Sequence, residues 1–200
     1  MSDSYLTIQS STEGLYKEKG SKFIAISFRV YNEEEIKQNL EDLRKKYYDA
    51  RHHCYAYILG KNQEKYRAND DGEPGNSAGM PILGQIRSKG LTNVLVVVIR
   101  YFGGTKLGVS GLINAYKTAT AEALAQAEII EEFILKKIQI SFEYPEMNEV
   151  MKVSKNYELD FGEQSFDEKC HIIFLVREGI FEEVQSKLKD IESLVLTELN

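Results

Sequence analysis

The chain has 200 residues, of which 42% are hydrophobic and 28% charged, a balance that fits one large folded domain or two small ones and excludes a mainly disordered chain. Its longest apolar runs, such as Val94 to Ile99 and Ile172 to Val176, fall far short of the roughly 20 residues a membrane-spanning helix needs, so no membrane partner is expected. The opening MSDSYLTIQSSTEG has neither a basic start nor a long apolar stretch, which makes the cytoplasm the expected location. Cys54 and Cys170 stand far apart without metal-like spacing, which argues against a disulfide framework or a zinc finger.

The net charge of −6 hides an asymmetry. Residues 1–132 carry 17 Lys+Arg and 17 Asp+Glu, whereas residues 133–200 carry 8 and 14, so the whole deficit lies in the final third. Between Pro74 and Ala121 there is no acid at all, against five bases: Arg87, Lys89, Arg100, Lys106 and Lys117. Burial alone accounts for a scarcity of acids; an anion-facing surface accounts for it equally well.

In chain order, KGSKFIAISFRV predicts a strand over about residues 22–30. A helix follows, with Asn32 as N-cap, Glu33 to Glu35 at its positive end, Ile36, Leu40, Leu43 and Tyr47 at helical spacing, and Arg44 to Lys46 at its negative end. HHCYAYILG returns to strand composition from His52 to Leu59. After the polar DDGEPGN loop, Ser77 is placed to cap a short helix that Gly90 ends. NVLVVVIRY, from Asn93 to Tyr101, has the unbroken apolar character of a central strand buried on both faces. A glycine-rich turn then leads into a helix over about 109–126. Strands near 134–143, 158–166, 170–176 and 194–197, with helices from Pro145 and from Ile180, give the order βαββαβ of a ferredoxin-like domain. The charged pair Glu131 and Glu132 marks the boundary, giving domains 1–131 and 132–200 of α+β class.

The segment RYFGGTKLGVSG, Arg100 to Gly111, carries the most chemistry. Gly103, Gly104, Gly108, Ser110 and Gly111 are small residues between a buried strand and a helix start, so backbone N–H groups can approach an anion where the helix supplies partial positive charge. Arg100 and Lys106 add full charges, and the combination suits phosphate. Neither a Walker loop nor a dinucleotide fingerprint is present. The same glycines also suit a tight turn that needs positive φ, and the adjacent cations favour phosphate contact over that reading. Asp70, Asp71 and Glu73 are oxygen donors of the type magnesium prefers, but Asp-Gly beside Glu-Pro-Gly is also a plain turn signal, and that reading is preferred. Arg51, His52, His53 and Cys54 read as sheet residues, with the two histidines on opposite faces, and His171 as structural.

KGSKFIA (19–25), DARHHCYAYI (49–58), NDDGEPGNSAGMPIL (69–83) and NVLVVVIRYFGGTKLGVSGLINAY (93–116), in that order, resemble the YigZ/IMPACT family, and the tail resembles that of its bacterial YigZ-like members. The resemblance implies a βαβ-rich N-terminal domain like the second domain of a small-subunit ribosomal protein. It implies a C-terminal ferredoxin-like domain similar to one in the ribosomal translocase EF-G. Eukaryotic relatives regulate translation by competing for an activator of a starvation-responsive initiation-factor kinase, partly through a further N-terminal domain that this sequence does not show, so that partner is not carried over. Residues 75–77 and Thr105 and Lys106 depart from the common bacterial pattern, and Lys106 puts a charge where many relatives have an apolar residue. No catalytic residue is carried over.

Two function classes follow. The favoured one is a non-enzymatic cytoplasmic protein that binds RNA or the ribosome, or a translation-associated protein, and modulates translation or a stress response without a cofactor. Arg100, Lys106 and the turn would contact phosphate, with His52, Tyr101 and Phe102 beside them and His52 or Tyr101 free to stack on a base. The alternative is a small phospho-ligand or nucleotide enzyme, with magnesium on Asp70, Asp71 and Glu73 and His52 as acid or base. A scaffold that meets only a protein partner, through the ferredoxin-like sheet or its edge, is a third possibility.

Overall fold

A computed structural model of the chain describes residues 3–199. It divides into two units, one of residues 5–132 and the other of residues 133–199 together with Asp3 and Ser4. The break therefore falls after Glu132, and the first described residues group with the C-terminal unit.

The first unit contains strands β2 (Thr12–Glu18), β3 (Ser21–Arg29), β4 (His52–Leu59), β5 (Lys65–Asn69) and β6 (Val94–Tyr101), together with all but one terminal residue each of β1 (Ser4–Ile8) and β7 (Ile129–Phe133). Its helices are α1 (Glu33–Lys46), α2 (Gly79–Ser88) and α3 (Gly108–Ala125). The main sheet has the order β2-β3-β6-β4-β5, each neighbour antiparallel, while β1 and β7 form a separate pair. Because β3 and β4 both run against β6, they are parallel to each other, and β3-α1-β4 is a split βαβ unit with β6 between its strands.

The apolar run in β6 explains its central place. Val94, Val96 and Val98 point into one core with Phe23, Cys54, Ala56, Leu112 and Tyr116 beneath α2 and α3. Leu95, Val97 and Ile99 point into the other, with Ile36 and Leu43 of α1. All six are fully buried, and each such side chain contributes roughly 1.5–3 kcal/mol by leaving water. Asn32 caps α1 as its position predicts, its side chain accepting from the Glu35 amide at 2.8 Å.

Ser77 does not cap α2. Its hydroxyl donates to the Pro74 carbonyl at 2.6 Å, and Asp70 takes the capping role from across the loop. Asp70 Oδ1 accepts from the amides of Ala78 (3.0 Å) and Gly79 (2.8 Å), and Oδ2 accepts from that of Asn76 (2.8 Å). A carboxylate satisfying three amides at the positive end of a helix is a stronger acceptor than a hydroxyl there.

The second unit places β8 (Leu135–Phe142), α4 (Met147–Asn156), β9 (Asp160–Phe166), β10 (Cys170–Arg177), α5 (Phe181–Lys189) and β11 (Val195–Leu199) in chain order. The sheet order β11-β8-β10-β9 is all antiparallel, the ferredoxin-like arrangement that the βαββαβ order predicts. Ile138, Ile140, Phe142, Ile172 and Phe174 meet Val150, Val184 and Leu188 of the two helices in its core. His171 lies on the other sheet face, opposite Ser141 and Ser165. No helix among the described residues is long and apolar enough to cross a membrane.

Candidate functional site

Strand register assembles the site. Arg100 of β6 is opposite Phe23 on β3 and His52 on β4, so the three side chains stand abreast on the α2–α3 face, one step beyond the apolar pairs of the core. Arg100 is only 7% exposed. Its Nη1 lies 2.6 Å from Glu73 Oε1, which comes from the loop before α2, and the Tyr116 hydroxyl on α3 donates to the same oxygen at 2.8 Å. The guanidinium also lies 5.5 Å from the Phe23 ring centre and 5.7 Å from that of Phe102. Its Nε–H is buried without a partner. Cys54 Sγ, 3.0 Å from the Asp70 carbonyl and 3.2 Å from the Tyr116 hydroxyl, completes a polar network inside the core. Burial pushes both the Cys54 thiol and the Tyr116 phenol well up, which keeps them protonated.

The turn between β6 and α3 is fixed from below. The Gly103 amide donates to Ser21 Oγ at 3.1 Å, and a Cβ at Gly103 would run into the Gly20 and Ser21 backbone, so two chain segments meet where only glycine fits. Gly108 opens α3 at φ 75°, and Leu107 at the N-cap supplies no side-chain acceptor. The first-turn amides of α3 therefore keep the partial positive charge of an uncapped helix end.

Above this floor is a cleft of about 460 Å³. Its walls join His52 and Arg100 from the sheet, Arg51 from the bend just before β4, Glu73 and Pro74 from the acidic loop, and Phe102, Lys106, Leu107, Gly108, Val109 and Leu112 from the turn and α3. Arg51 and Lys106 are exposed, and neither enters an ion pair among the described residues. Phe102 is half exposed. His52 Nδ1 lies 2.8 Å from the Asp71 carbonyl, which can only accept, so Nδ1 carries the proton and Nε2 of the neutral ring is left as an acceptor.

Of the residues the sequence nominated, the cleft gathers His52, Glu73, Arg100, Phe102, Lys106 and Gly108. Gly103, Gly104, Ser110 and Gly111 shape the turn and the first turn of α3 without lining the cleft. Tyr101 faces the α1 side, where its hydroxyl donates to Asp49 Oδ1 at 2.7 Å and this bond pushes the phenol up to about 12. Arg51 reads as a sheet residue in the sequence and as a cleft residue in the structure. Its only signal was adjacency to His52, which gains meaning once β4 is known to pair with β6.

The three carboxylates have separate tasks. Asp70 caps α2, and Glu73 holds Arg100 and Tyr116. Asp71, at φ 42°, accepts from the His53 amide at 2.6 Å and faces Arg44 at 3.4 Å. Among the described residues no group of three or more His, Cys, Asp or Glu is placed to hold a metal ion.

The Impact N-terminal domain family matches residues 19–124, which includes every residue of the cleft. IMPACT family member YvyE of Bacillus subtilis is 36% identical over 144 residues, covering 72% of this chain and 66% of the relative. An IMPACT family member of Haemophilus influenzae is 30% identical over 190 residues, covering 93% of this chain and 91% of the relative. A crystal structure described as that of a hypothetical protein superposes with a TM-score of 0.75 at 26% identity, over 100% of this chain and 99% of that one. By the domain match and by these relatives, the chain belongs to the IMPACT family.

Proposed function

We propose that this protein is a non-enzymatic cytoplasmic modulator of translation that binds RNA or the ribosome through the cleft between β4, β6 and α3. The observation that carries the reading is the convergence of two unpaired cations, Arg51 and Lys106, an uncapped α3 N-terminus and the half-exposed Phe102 ring on one concavity. Cations and helix amides recognise phosphate, and an accessible aromatic ring accepts an unstacked base. Family membership supports the link to translation through the eukaryotic relatives. Arg100, held by Glu73, acts as the floor of the site and positions Phe102. The acidic C-terminal unit disfavours nucleic acid and suits a basic protein partner in the same assembly. The magnesium-enzyme reading has no comparable support, because Asp70, Asp71 and Glu73 are each committed to a different neighbour.

The test is co-sedimentation with ribosomes, and filter binding to single-stranded RNA, across a salt series. Wild type should bind with a steep negative dependence on salt. An Arg51→Ala, Lys106→Ala double variant, which touches only exposed side chains, should bind more weakly and lose about 1.5 from the log–log salt slope. Equal binding by both proteins at every salt concentration would remove the cleft from the account.

A further inference from the structure

The cleft's charge and size say more about the ligand than that it is an anion, and this inference rests on the reading just proposed. Glu73 is the only carboxylate in the lining, and Arg100 and Tyr116 already occupy it. The free charge facing a ligand is therefore Arg51, Lys106 and the helix end of α3, somewhat more than two positive charges around one cleft. An internal phosphodiester carries a single negative charge, whereas a phosphate monoester carries about −1.5 to −2 near neutral pH. The site is matched to the second.

Three further features fit the rest of a nucleotide. A volume of about 460 Å³ is that of a small-molecule pocket and not of a groove that tracks a strand. Phe102 presents its ring at the rim, stiffened on one side by the Arg100 guanidinium. His52, its Nδ1 bound to the Asp71 carbonyl, offers Nε2 as an acceptor for a hydroxyl. Arg100 supplies the independent sign that a ligand is accommodated here: it lines the cleft, is more than nine-tenths buried, and keeps one N–H without a partner. A phosphate oxygen at the cleft floor would accept from it.

We propose that the cleft binds a nucleotide phosphate monoester, as a free ribonucleoside monophosphate or as the phosphorylated end of an RNA. The monoester lies between Arg51, Lys106 and the first amides of α3, the base lies on Phe102, and a sugar hydroxyl donates to His52 Nε2.

Fluorescence anisotropy on the full chain, with short labelled RNAs carrying a 5′-phosphate, a 3′-phosphate or hydroxyls at both ends, tests this. Calorimetry with uridine and adenosine monophosphates and their nucleosides runs beside it. One phosphorylated end should bind at least tenfold more tightly than the all-hydroxyl RNA, the monophosphates should compete while the nucleosides do not, and Arg51→Ala with Lys106→Ala should abolish the difference. His52→Phe, which removes the acceptor, should narrow the preference for ribose over deoxyribose. RNA that binds equally well with and without terminal phosphate would overturn end recognition while leaving the RNA reading in place. Monophosphates that bind where no RNA does would support the monoester site and overturn the RNA reading. No binding by either overturns both.

Discussion

Arg100 Nη1 and Glu73 Oε1 lie 2.6 Å apart with both side chains more than nine-tenths buried, so the one arginine of the central strand is neutralised inside the fold. Taking both ions out of water costs several kcal/mol, which their attraction and the Tyr116 bond offset only while all three groups are present. Glu73→Ala should therefore destabilise the protein by about 3–5 kcal/mol, because it leaves a buried guanidinium unpaired. An Arg100→Met, Glu73→Leu double variant should recover most of that loss. Urea denaturation of the two variants decides it; equal losses would show that the pair matters through packing and not through charge.

Asp70 serves three amides with one carboxylate, and its role is separable from metal binding. Asp70→Ala should cost about 1–2 kcal/mol, the value of a lost helix cap, and increase amide exchange at Ala78 and Gly79. Asp70→Asn keeps an acceptor and should cost less. Adding magnesium should leave the wild-type melting temperature unchanged, whereas a rise with magnesium concentration would restore the acidic loop as a cation site.

What could be read from the sequence followed burial. The apolar run in β6, the capped α1 and the βαββαβ tail all announce themselves through residues that must leave water. The edge strands do not: β2 (TEGLYKE) and β5 (KYRAN) are polar because each has an unpaired flank, and charge there discourages association between chains. The same limit hid the site. Arg100 reads as a phosphate ligand from composition, with its exposure left open, and only the pairing with Glu73, 27 positions away, shows it to be a floor residue. Arg51 reaches the cleft because it directly precedes His52, which the register of β4 against β6 sets beside Arg100, and no local pattern encodes that pairing. The glycine-rich turn was legible as a turn, while its contact with Gly20 across the sheet was not.

Gly103 and Gly84 make a matched test of that turn. A side chain at Gly103 collides with the Gly20–Ser21 backbone, so Gly103→Ala must separate two chain segments and should cost at least 1–3 kcal/mol, as overpacking does. Gly84 sits exposed inside α2 with nothing near its missing Cβ. Gly84→Ala should stabilise by roughly 0.5–1 kcal/mol through helix propensity. Thermal melts of the pair should move in opposite directions, and a neutral Gly103→Ala would mean that the turn is looser than its packing implies. If the Gly103 variant folds, it should also bind RNA less well, because the turn that carries Lys106 has shifted.

His53 faces the opposite side of β4 from His52, under α1, and its Nε2 is buried without a partner. Burial is the main influence holding its pKa below the ordinary value near 6.5; Arg44 pushes the same way and Asp71 opposes. A base with a depressed folded pKa is held neutral in the native state, so the unfolded chain takes up the proton first as pH falls. Its contribution to stability is present above about pH 6.5 and is lost as pH drops from there through the folded pKa. The melting temperature of wild type should therefore decline between pH 7.5 and 5.5 more steeply than that of His53→Gln, which cannot charge. The comparison rests on the slope with pH and not on the absolute melting temperature, so a uniform loss of stability in the variant does not affect it. Proton NMR titration of His53 in the wild-type chain gives a second, independent reading: a midpoint below 6.5 is expected, and one above it would reverse the sign of the predicted pH dependence.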